Sequence, residues 1–471
     1  MECIQTEKHF VHDLKLKILK LLNVILITAA FALVWHFFIK NKVVSPYFAK
    51  GNWLIYFIYF ILYDLIGRNY DAFLVSYNRI SEMVYSQSLA AFITGFILYI
   101  ITWFLEKHLP NITVFLLVFA VQILLSTAWS LLVHRWYFRT FHPKRTFIIW
   151  DMRKGMTDLI NEYGMTQKFQ VVGNCHSSEC VAHPEILENI EAVFLTGVHS
   201  HDRNVIIKYC VEHDISAFVI PRIGDVMMSG AKKMHLFHLP ILKLDRYHPT
   251  PEYLLFKRLF DIIFAIIGLT ITSPIMLGVA VGIKKYDGGP VLYRQCRLTQ
   301  NGRKFYVLKF RSMSVDAEKD GVARLSTGDA DPRITPIGRK IRKVRIDELP
   351  QFINILKGDM SFVGPRPERP QIAAEYEKEL PEFRLRLQVK CGLTGYAQVY
   401  GKYNTTPYDK LQMDLMYIAN PSIIEDLRII FATIKILFMK DSTEGVAEGQ
   451  TTASAGSVEN TEVPAEQDAD K

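Results

Sequence analysis

The sequence predicts a membrane protein with three folded parts: an N-terminal α-helical bundle of four spans, a small parallel α/β module, and an α-rich α/β domain with one further apolar helix. Three observations support this prediction. Long apolar runs are concentrated in the first 140 residues, short β-like runs alternate with helical stretches between residues 146 and 240, and a fifth apolar run follows. At 471 residues the chain is long enough for two or three domains, since a domain usually takes roughly 100–200 residues.

Residues 1–140 are predicted to form the transmembrane region. Its apolar runs cover about residues 21–39, 53–66, 88–105 and 112–133, and all except the shorter second run approach the roughly 20 residues that span a bilayer. Four crossings place ten flanking lysines and arginines on one side of the membrane and four on the other. Because basic residues favour the cytoplasmic side, everything after residue 140 is predicted to be cytoplasmic.

Residues 141–248 are predicted to form a Rossmann-like α/β module, because β-like runs alternate there with stretches that can form helices. These runs cover residues 146–150, 170–172, 192–196, 217–220 and 236–239. The segment after the first run, residues 151–155, reads Asp-Met-Arg-Lys-Gly and lacks the G-x-G-x-x-G fingerprint of dinucleotide binding. A structural, dimerising or regulatory module is therefore favoured.

The fifth apolar segment, residues 259–283, differs from the first four because Ser273 and Pro274 interrupt its middle. A proline lacks the amide proton and its ring clashes with the carbonyl four residues earlier, so a kink or break is expected. Basic pairs flank the segment at 257–258 and 284–285. A hairpin that enters the membrane and returns keeps both pairs in the cytoplasm, so residues 257–285 are predicted to be a re-entrant membrane helix. A kinked fifth span is the alternative.

The net charge of +8 is unevenly distributed. Residues 441–471 carry eight acids and one lysine among Gly, Ser, Thr and Ala, which predicts a disordered acidic tail. The basic remainder lies beside apolar segments, so membrane lipid or phosphate is a more fitting partner than nucleic acid. The six cysteines follow no paired spacing, which predicts a reduced, cytoplasm-facing domain.

A dense group of bases leads into two adjacent acids, Asp347 and Glu348. The bases are Arg294, Arg297, Arg303, Lys304, Lys309, Arg311, Arg333, Arg339, Lys340, Arg342, Lys343 and Arg345. Apolar residues at 349, 352, 353 and 356 repeat at helical spacing, so a helix is predicted to begin near the acids. On these patterns alone the simpler interpretation is structural, with Asp347 as a helix N-cap and Glu348 as a first-turn acid.

The functional interpretation of the acid pair is phosphoryl transfer. That reaction needs positive charge around the phosphate oxygens, a divalent metal and an in-line nucleophile, and a carboxylate can serve as the nucleophile. Neighbours on a helix point roughly 100° apart, so one acid can face phosphorus while the other binds the metal. Further along, Pro365 and Pro367 fix the backbone around Arg366, which suits a phosphate clamp.

From about residue 253 to residue 438 the chain resembles the monotopic polyprenyl-phosphate phosphoglycosyl transferases, the bacterial sugar transferase family. The whole chain is similar to the family's large members, in which four spans and a Rossmann-like module precede the catalytic domain. The matching segments are Lys-Arg-Leu-Phe-Asp at 257–261, Ser-Pro at 273–274, Gly-Pro-Val at 289–291 with Arg294 and Arg297, Lys-Phe-Arg-Ser-Met at 309–313, Arg342 with Asp-Glu-Leu-Pro-Gln at 347–351, Gly-Asp-Met-Ser at 358–361, Gly-Pro-Arg-Pro at 364–367, and Gly-Leu-Thr-Gly-Tyr-Ala-Gln-Val at 392–399. The chain departs from the family at Tyr396, where Trp is frequent, and at 400–402, where Asn-Gly-Arg is frequent, so the resemblance leaves the specificity for the sugar or the acceptor open.

The resemblance implies that residues 249–440 are a catalytic domain with a re-entrant membrane helix at the cytoplasmic face of the bacterial inner membrane. The implied reaction transfers a sugar-1-phosphate from a UDP-sugar to undecaprenyl phosphate and releases UMP, as the first membrane step of capsule, exopolysaccharide or O-antigen synthesis. Asp347 would be the nucleophile that forms an aspartyl phosphosugar, and Glu348 would bind Mg²⁺. A homodimer is a further expectation from the family.

The same resemblance gives roles to several other positions. Arg342 and Arg366 are expected to bind substrate phosphate, together with Arg311 and Arg294. The remaining residues have structural roles, in the helix break at Ser273 and Pro274 and in the turn at Pro365 and Pro367.

Two other functions stay open at this point. One is a catalytically inactive membrane sensor or scaffold that uses the α/β module to bind a ligand, although the intact acid pair, Arg342 and Arg366 count against it. The other is a glycosyltransferase that moves only the sugar and releases UDP. The nucleotide product separates these functions.

Overall fold

The computed structural model describes residues 2–43, 49–151, 155–247, 249–315, 317, 331, 333–401 and 405–437. The chain divides into two compact units, Met1–Ile220 and Pro221–Lys471. The predicted acidic tail, residues 441–471, lies outside the described residues.

The first unit begins with the four predicted helices. They are α1 (Glu2–Val34), which continues as a π-helical turn over Trp35–Ile39, α2 (Ala49–Asn69), α3 (Ile80–Glu106) and α4 (Ile112–Thr140). Each predicted apolar run lies inside one of these helices, so the prediction of four N-terminal helices is confirmed. Three of them, over Val11–Ile39, Ile80–Glu106 and Ile112–Thr140, are long and apolar enough to cross a membrane.

Buried polar side chains connect the four helices to one another. The Asn23 amide donates to the Gln87 side chain at 3.2 Å, and the Tyr63 hydroxyl donates to Asn23 at 3.1 Å. Gln122 donates to the Tyr59 hydroxyl at 2.9 Å. Because lipid tails are as apolar as leucine side chains, such hydrogen bonds and close packing hold membrane helices together where the hydrophobic effect cannot.

A four-stranded parallel sheet follows, which confirms the predicted α/β module. The strands, numbered along the chain, pair in the order β2-β1-β3-β4. From the central strand β1 the chain therefore first adds a strand on one side and then adds two strands on the other side. The strands are β1 (Lys144–Trp150), β2 (Phe169–His176), β3 (Ala192–Thr196) and β4 (Ser216–Ile220), and the helices between them are α5 (Met156–Glu162), α6 (Ser177–Ala182) and α7 (Ser200–Glu212).

The prediction of a fifth strand of this module over residues 236–239 is wrong. After α8 (Ile223–Ser229), strands β5 (Lys232–Leu236) and β6 (Leu239–Lys243) form a separate antiparallel hairpin that belongs to the second unit. Phe237 and His238 form its two-residue turn, with φ values of 54° and 62°. Two consecutive positive φ values are those of the type I′ turn that suits the twist of a hairpin. The apolar run therefore covers the end of one strand, a turn and the start of the next.

Residues 251–287 are helical throughout and form α9 (Pro251–Asp287), with Pro274 inside the helix. Of the predicted kink or break at Pro274, a complete break is therefore not observed, and a kink stays a prediction. Pro274 deprives the Thr270 carbonyl of its usual amide donor. The Ser273 hydroxyl donates to this carbonyl at 2.9 Å and replaces the missing bond. With 37 residues, α9 is also long and apolar enough to cross a membrane.

The rest of the second unit is rich in helices, as predicted, with two small two-stranded sheets. Strands β7 (Leu292–Leu298) and β8 (Lys304–Phe310) are antiparallel, while β9 (Ser361–Val363) and β10 (Gly392–Thr394) are parallel. The helices are α10 (Pro336–Lys343), α11 (Gln351–Lys357), α12 (Pro370–Glu379), α13 (Tyr396–Tyr400), α14 (Pro407–Ala419) and α15 (Ile423–Leu437).

Both halves of α9 pack against the folded part of the second unit. In the N-terminal half, Ala265 belongs to a cluster with Phe352 and Ile355 of α11. In the C-terminal half, Ile283 packs with Phe310 of β8 and Ile341 of α10. Each half of the long apolar helix thus has a buried contact with the elements that flank the acid pair, while most of its apolar surface is exposed.

Candidate active site

The acid pair lies in a short 3-10 turn, Ile346–Glu348, which leads into α11. Arg345 enters this turn in the left-handed region, with φ of 54°. The N-cap positions belong to Arg345 for the turn and to Pro350 for α11, and neither element has a side-chain cap hydrogen bond. The interpretation of Asp347 as a helix N-cap is therefore wrong, although a helix does begin beside the acids.

Glu348 is held by two cations through a single oxygen. Its Oε1 accepts a hydrogen bond from the Lys309 ammonium at 2.7 Å and from Arg366 Nη2 at 3.1 Å. Burial would raise the pKa of Glu348, but the charges of Lys309 and Arg366 outweigh it and hold the pKa well below its ordinary value. Glu348 therefore stays ionised across the physiological pH range.

Asp347, its neighbour, is held by no such contact. Among the described residues no hydrogen bond or ion pair engages the Asp347 carboxylate. Burial, followed by repulsion from Glu348, raises its pKa to about 6 against the attraction of Lys309, Arg342 and Arg366. Asp347 is thus an ionised carboxylate above that pH with both oxygens available for chemistry.

Lys309 reaches Glu348 from strand β8, and Asn354 of α11 fixes the register between these two elements. The Asn354 amide donates to the Tyr306 carbonyl at 2.9 Å, and the Leu308 amide donates back to Asn354 Oδ1 at 2.9 Å. These two hydrogen bonds between Asn354 and the edge of β8 hold α11, and the acid pair just before it, opposite Lys309. Lys309 was part of a matched segment, but no role was predicted for it.

Arg366 stands exposed between two buried prolines, Pro365 and Pro367. Its side chain is 44% exposed, and its Nη1 donates to Gln398 Oε1 at 3.2 Å while Nη2 reaches Glu348. The turn follows β9, and a Cβ at Gly392 or Gly395 would collide with the backbone of Gly364. Glycine at these positions lets the two chain segments meet closely enough to place Gln398 beside Arg366.

The structure brings only some of the predicted arginines to the acid pair. Arg342 on α10 lies close enough to lower the pKa of Asp347, as does Arg366. Arg311 instead pairs with Asp287 at the end of α9 and is almost fully buried. Arg294 is exposed and pairs in register with Leu308, so it points to the face of the β7–β8 hairpin opposite Lys309.

The resulting site carries a surplus of positive charge. Four cations act on the two acids, since Lys309, Arg342 and Arg366 influence Asp347, and Arg345 joins Lys309 and Arg366 at Glu348. Burial lowers the pKa of Lys309 below its ordinary value, and Glu348 opposes that shift. A partly desolvated site with more cations than anions is suited to an anionic ligand such as a diphosphate.

The acids also fit a magnesium ion. Among the described residues, neither Glu348 Oε2 nor either Asp347 oxygen has a hydrogen bond. The described residues contain no group of three His, Cys, Asp or Glu side chains arranged to hold a metal. Magnesium is commonly held by one or two carboxylates together with substrate phosphates, and the acid pair supplies those carboxylates.

Three residues of the site had no individual role predicted from the sequence: Lys309 and Arg345 belong to the basic group, and Lys309 and Gln398 to matched segments. Lys309 and Glu348 are 39 positions apart, and Gln398 and Arg366 are 32 positions apart. No helical or strand periodicity connects positions at such separations. Of the three, only Arg345 could have been assigned from a local signal, since it lies two positions before Asp347 in the sequence.

The sequence comparisons concern the part of the chain that carries this site. A model of the bacterial sugar transferase family matches residues 252–440. The UDP-N-acetylgalactosamine-undecaprenyl-phosphate N-acetylgalactosaminephosphotransferase of Aeromonas hydrophila is 38% identical over 231 residues, which are 48% of this chain and 53% of that protein. The UDP-glucose:undecaprenyl-phosphate glucose-1-phosphate transferase of Escherichia coli (strain K12) is 37% identical over 212 residues, 44% of each chain.

A shorter relative is matched over nearly its whole length. The exopolysaccharide production protein PSS of Rhizobium leguminosarum bv. phaseoli is 41% identical over 190 residues, which are 38% of this chain and 94% of that protein. The chain thus spans about half the length of the two larger relatives and almost all of the shorter one.

Proposed function

The chain belongs to the bacterial sugar transferase family, and from this premise we propose that it transfers a sugar-1-phosphate from a UDP-sugar to undecaprenyl phosphate and releases UMP. One observation carries the proposal: the free Asp347 carboxylate lies among cations beside a second, firmly held acid. The names of two relatives, which specify UDP-linked donors and undecaprenyl phosphate, support the choice of substrates.

The first step is an attack by an Asp347 oxygen on the β-phosphorus of the UDP-sugar. The bond between that phosphorus and the bridging oxygen breaks, and UMP leaves with the bonding electron pair. The product on the protein is an aspartyl phosphosugar. Because Asp347 is ionised above about pH 6, no general base is needed for this attack.

The second step is an attack by a phosphate oxygen of undecaprenyl phosphate on the same phosphorus. The bond to Asp347 breaks, the carboxylate is restored, and undecaprenyl-diphospho-sugar leaves. Lys309, Arg342 and Arg366 lie where they can stabilise the charge that develops on the phosphoryl oxygens in both steps. The two displacements exchange one phosphate bond for another without net proton transfer.

Glu348 would be the carboxylate that holds Mg²⁺. When bound, the metal would neutralise charge on the phosphate oxygens. The protein's own cations hold Glu348 in place through Oε1 and leave Oε2 for the metal. This division keeps Asp347 as the nucleophile and Glu348 as the metal ligand.

We propose that α9 enters the membrane from the cytoplasmic face and returns to it. As a straight helix its 37 residues would extend about 55 Å, far beyond a hydrocarbon core of about 30 Å. Near its start, Arg258 donates to the Ile355 and Leu356 carbonyls at 2.7 and 2.8 Å, and at its end Asp287 pairs with Arg311. Since both ends contact one folded unit, we propose that α9 bends at Pro274 and follows a re-entrant path at the bacterial inner membrane, which fits these contacts better than a crossing. We also propose that the enzyme is a homodimer, and that the α/β module has a structural, dimerising or regulatory role in it.

The decisive experiment identifies the nucleotide product. The purified protein in lipid receives Mg²⁺, undecaprenyl phosphate and a panel of UDP-sugars, and UMP and UDP are quantified. We expect UMP with at least one donor, and none from Asp347→Asn, while the exposed-acid control Glu382→Gln keeps its activity. UDP as the product would indicate a glycosyltransferase, and no product with any donor would favour an inactive scaffold. Either result would contradict the proposal.

A further inference from the structure

The turn that presents Arg366 is held by more than its two prolines. Two consecutive carbonyl oxygens of the turn each accept a hydrogen bond from a largely buried guanidinium. Arg386 Nη2 donates to the Arg366 carbonyl at 3.0 Å, and Arg297 Nη1 donates to the Pro367 carbonyl at 2.9 Å. The backbone of Arg366 is therefore fixed by two side-chain donors in addition to the prolines.

Arg386 is in turn held by a buried carboxylate. It lies on the 3-10 helix Pro381–Gln388, and its Nη2 is 2.7 Å from Asp414 Oδ2 of α14. The two side chains are 3% and 1% exposed, and the guanidinium lies 4.8 Å from the centre of the Phe383 ring. Both partners of this ion pair are thus removed from solvent.

Glu368 closes the network directly after the turn. Its carboxylate lies 3.6 Å from Arg386 and 3.8 Å from Arg297, so it stands between the two guanidinium groups that hold the carbonyls. The arrangement connects three separate elements, β7, the 3-10 helix and α14, to one exposed turn.

Such a network is an inefficient way to stabilise a fold, because the cost of desolvating a buried ion pair is often as large as its Coulombic gain. What it does provide is a defined geometry at a backbone carbonyl. We propose that the buried Arg386–Asp414 ion pair is a positioning device for Arg366, which sets the backbone so that the Arg366 guanidinium meets Glu348 at 3.1 Å. Neither Arg386 nor Asp414 has a hydrogen bond or ion pair with the acids within the described chain, so they act through Arg366. The inference rests on the proposed function, since its main effect is on turnover.

A double-mutant cycle tests this role. Arg386→Lys keeps the charge but loses the planar fork, and Asp414→Asn keeps the size but loses the charge. Each variant should lower kcat by roughly 100-fold, the loss that a displacement of about 1 Å at a site can cause, with a smaller change in KM. In an Arg366→Ala background the same substitutions should cost less than about threefold, because the residue that they position is absent.

Asp331→Asn is the matched control. Asp331 is also 1% exposed and pairs with Arg333 at 2.7 Å, but not with the turn. Its effect should multiply with that of Arg366→Ala. If the effects of Arg386→Lys and Asp414→Asn also multiplied fully with Arg366→Ala, the positioning role would be overturned and the pair would be only structural.

A second readout does not depend on activity. Hydrogen–deuterium exchange of the backbone amides of Gly364, Arg366 and Glu368, the turn residues that are not proline, should rise in Arg386→Lys and Asp414→Asn relative to the parent and to Asp331→Asn. Unchanged exchange in both variants would overturn the inference. Absence of UMP release by the parent protein would contradict the proposed function instead, and the exchange result would still decide on the positioning device.

Discussion

Lys309 and Glu348 lie 39 positions apart in the chain and 2.7 Å apart in the site. This ion pair commits one oxygen of Glu348 to the protein and leaves Asp347 as the acid without a partner among the described residues. Two adjacent acids thus acquire different chemistry from their surroundings: Glu348 stays ionised and fixed, while the pKa of Asp347 is about 6 and its oxygens are available to react.

Lys309→Met should weaken the difference between the fixed Glu348 carboxylate and the reactive Asp347 carboxylate. Loss of the ammonium should raise the pKa of Glu348 and leave its side chain held by Arg366 alone, and we expect kcat to fall by roughly 100-fold, as for removal of one preorganised donor. Lys304→Met, at an exposed position of the same strand, should change kcat by less than about twofold. Steady-state UMP release measures both, and equal effects of the two variants would contradict the assigned role of Lys309.

The activity should have an acidic limb near pH 6. Asp347 reacts as the carboxylate and its pKa is raised to about 6, so kcat/KM should fall about tenfold per pH unit as the pH drops below that value. Arg342 lowers this pKa, so Arg342→Gln should move the limb to higher pH. A pH profile of kcat/KM for both proteins checks this, and an unmoved limb in Arg342→Gln would show that Asp347 is not the titrating group.

Asp347→Asn should stabilise the fold while it abolishes turnover. A carboxyl with a raised pKa is destabilised in its ionised form, so the folded protein bears a cost above about pH 6 that disappears as the pH falls towards 4. At pH 8 we expect the unfolding temperature to rise by roughly 2–4 °C, the shift for about 1 kcal/mol in a domain of this size. Thermal unfolding at pH 8 and pH 4.5 tests this, and an equal stabilisation at both values would show that the ionised carboxylate is not its cause.

Ser273 and Pro274 should be coupled in stability. Ser273→Ala leaves the Thr270 carbonyl without a donor, which should cost about 1 kcal/mol. In a Pro274→Ala background the backbone amide returns to that carbonyl, so the same change should be nearly neutral. Thermal unfolding of the parent, the two single variants and the double variant, all in nanodiscs of the same lipid, gives the coupling free energy between the two positions. Strictly additive effects would contradict the claim that the Ser273 hydroxyl replaces the missing amide at the Thr270 carbonyl.

Sequence patterns predicted the elements with strong local signals. The four N-terminal helices and the four parallel strands carry long apolar or alternating runs, and they occur where expected. The β5–β6 hairpin was missed because its turn is Phe237-His238, without the Asn or Gly that usually marks two positive φ values. At Pro274 the sequence could not separate a kink from a break, because the compensating Ser273 bond depends on a rotamer, which a sequence does not specify.

The acid pair and Arg366 could be found from the sequence because the motif is compact. Their partners could not, since Lys309 and Gln398 approach only through the tertiary fold. Side-chain alternation in the β7–β8 hairpin puts Lys309 and Arg294 on opposite faces. Asn354 then holds α11 against the edge of β8, and no conspicuous sequence pattern marks that residue.

The covalent intermediate on Asp347 is the central step of the proposed reaction. The direct measurement is intact-protein and peptide mass spectrometry after incubation with a productive UDP-sugar and Mg²⁺ but without undecaprenyl phosphate. We expect a phosphosugar adduct on Asp347, formed together with one equivalent of UMP, discharged by undecaprenyl phosphate, and absent from Asp347→Asn. An adduct on another residue, or rapid product formation with no adduct and full activity in Asp347→Asn, would contradict the claim.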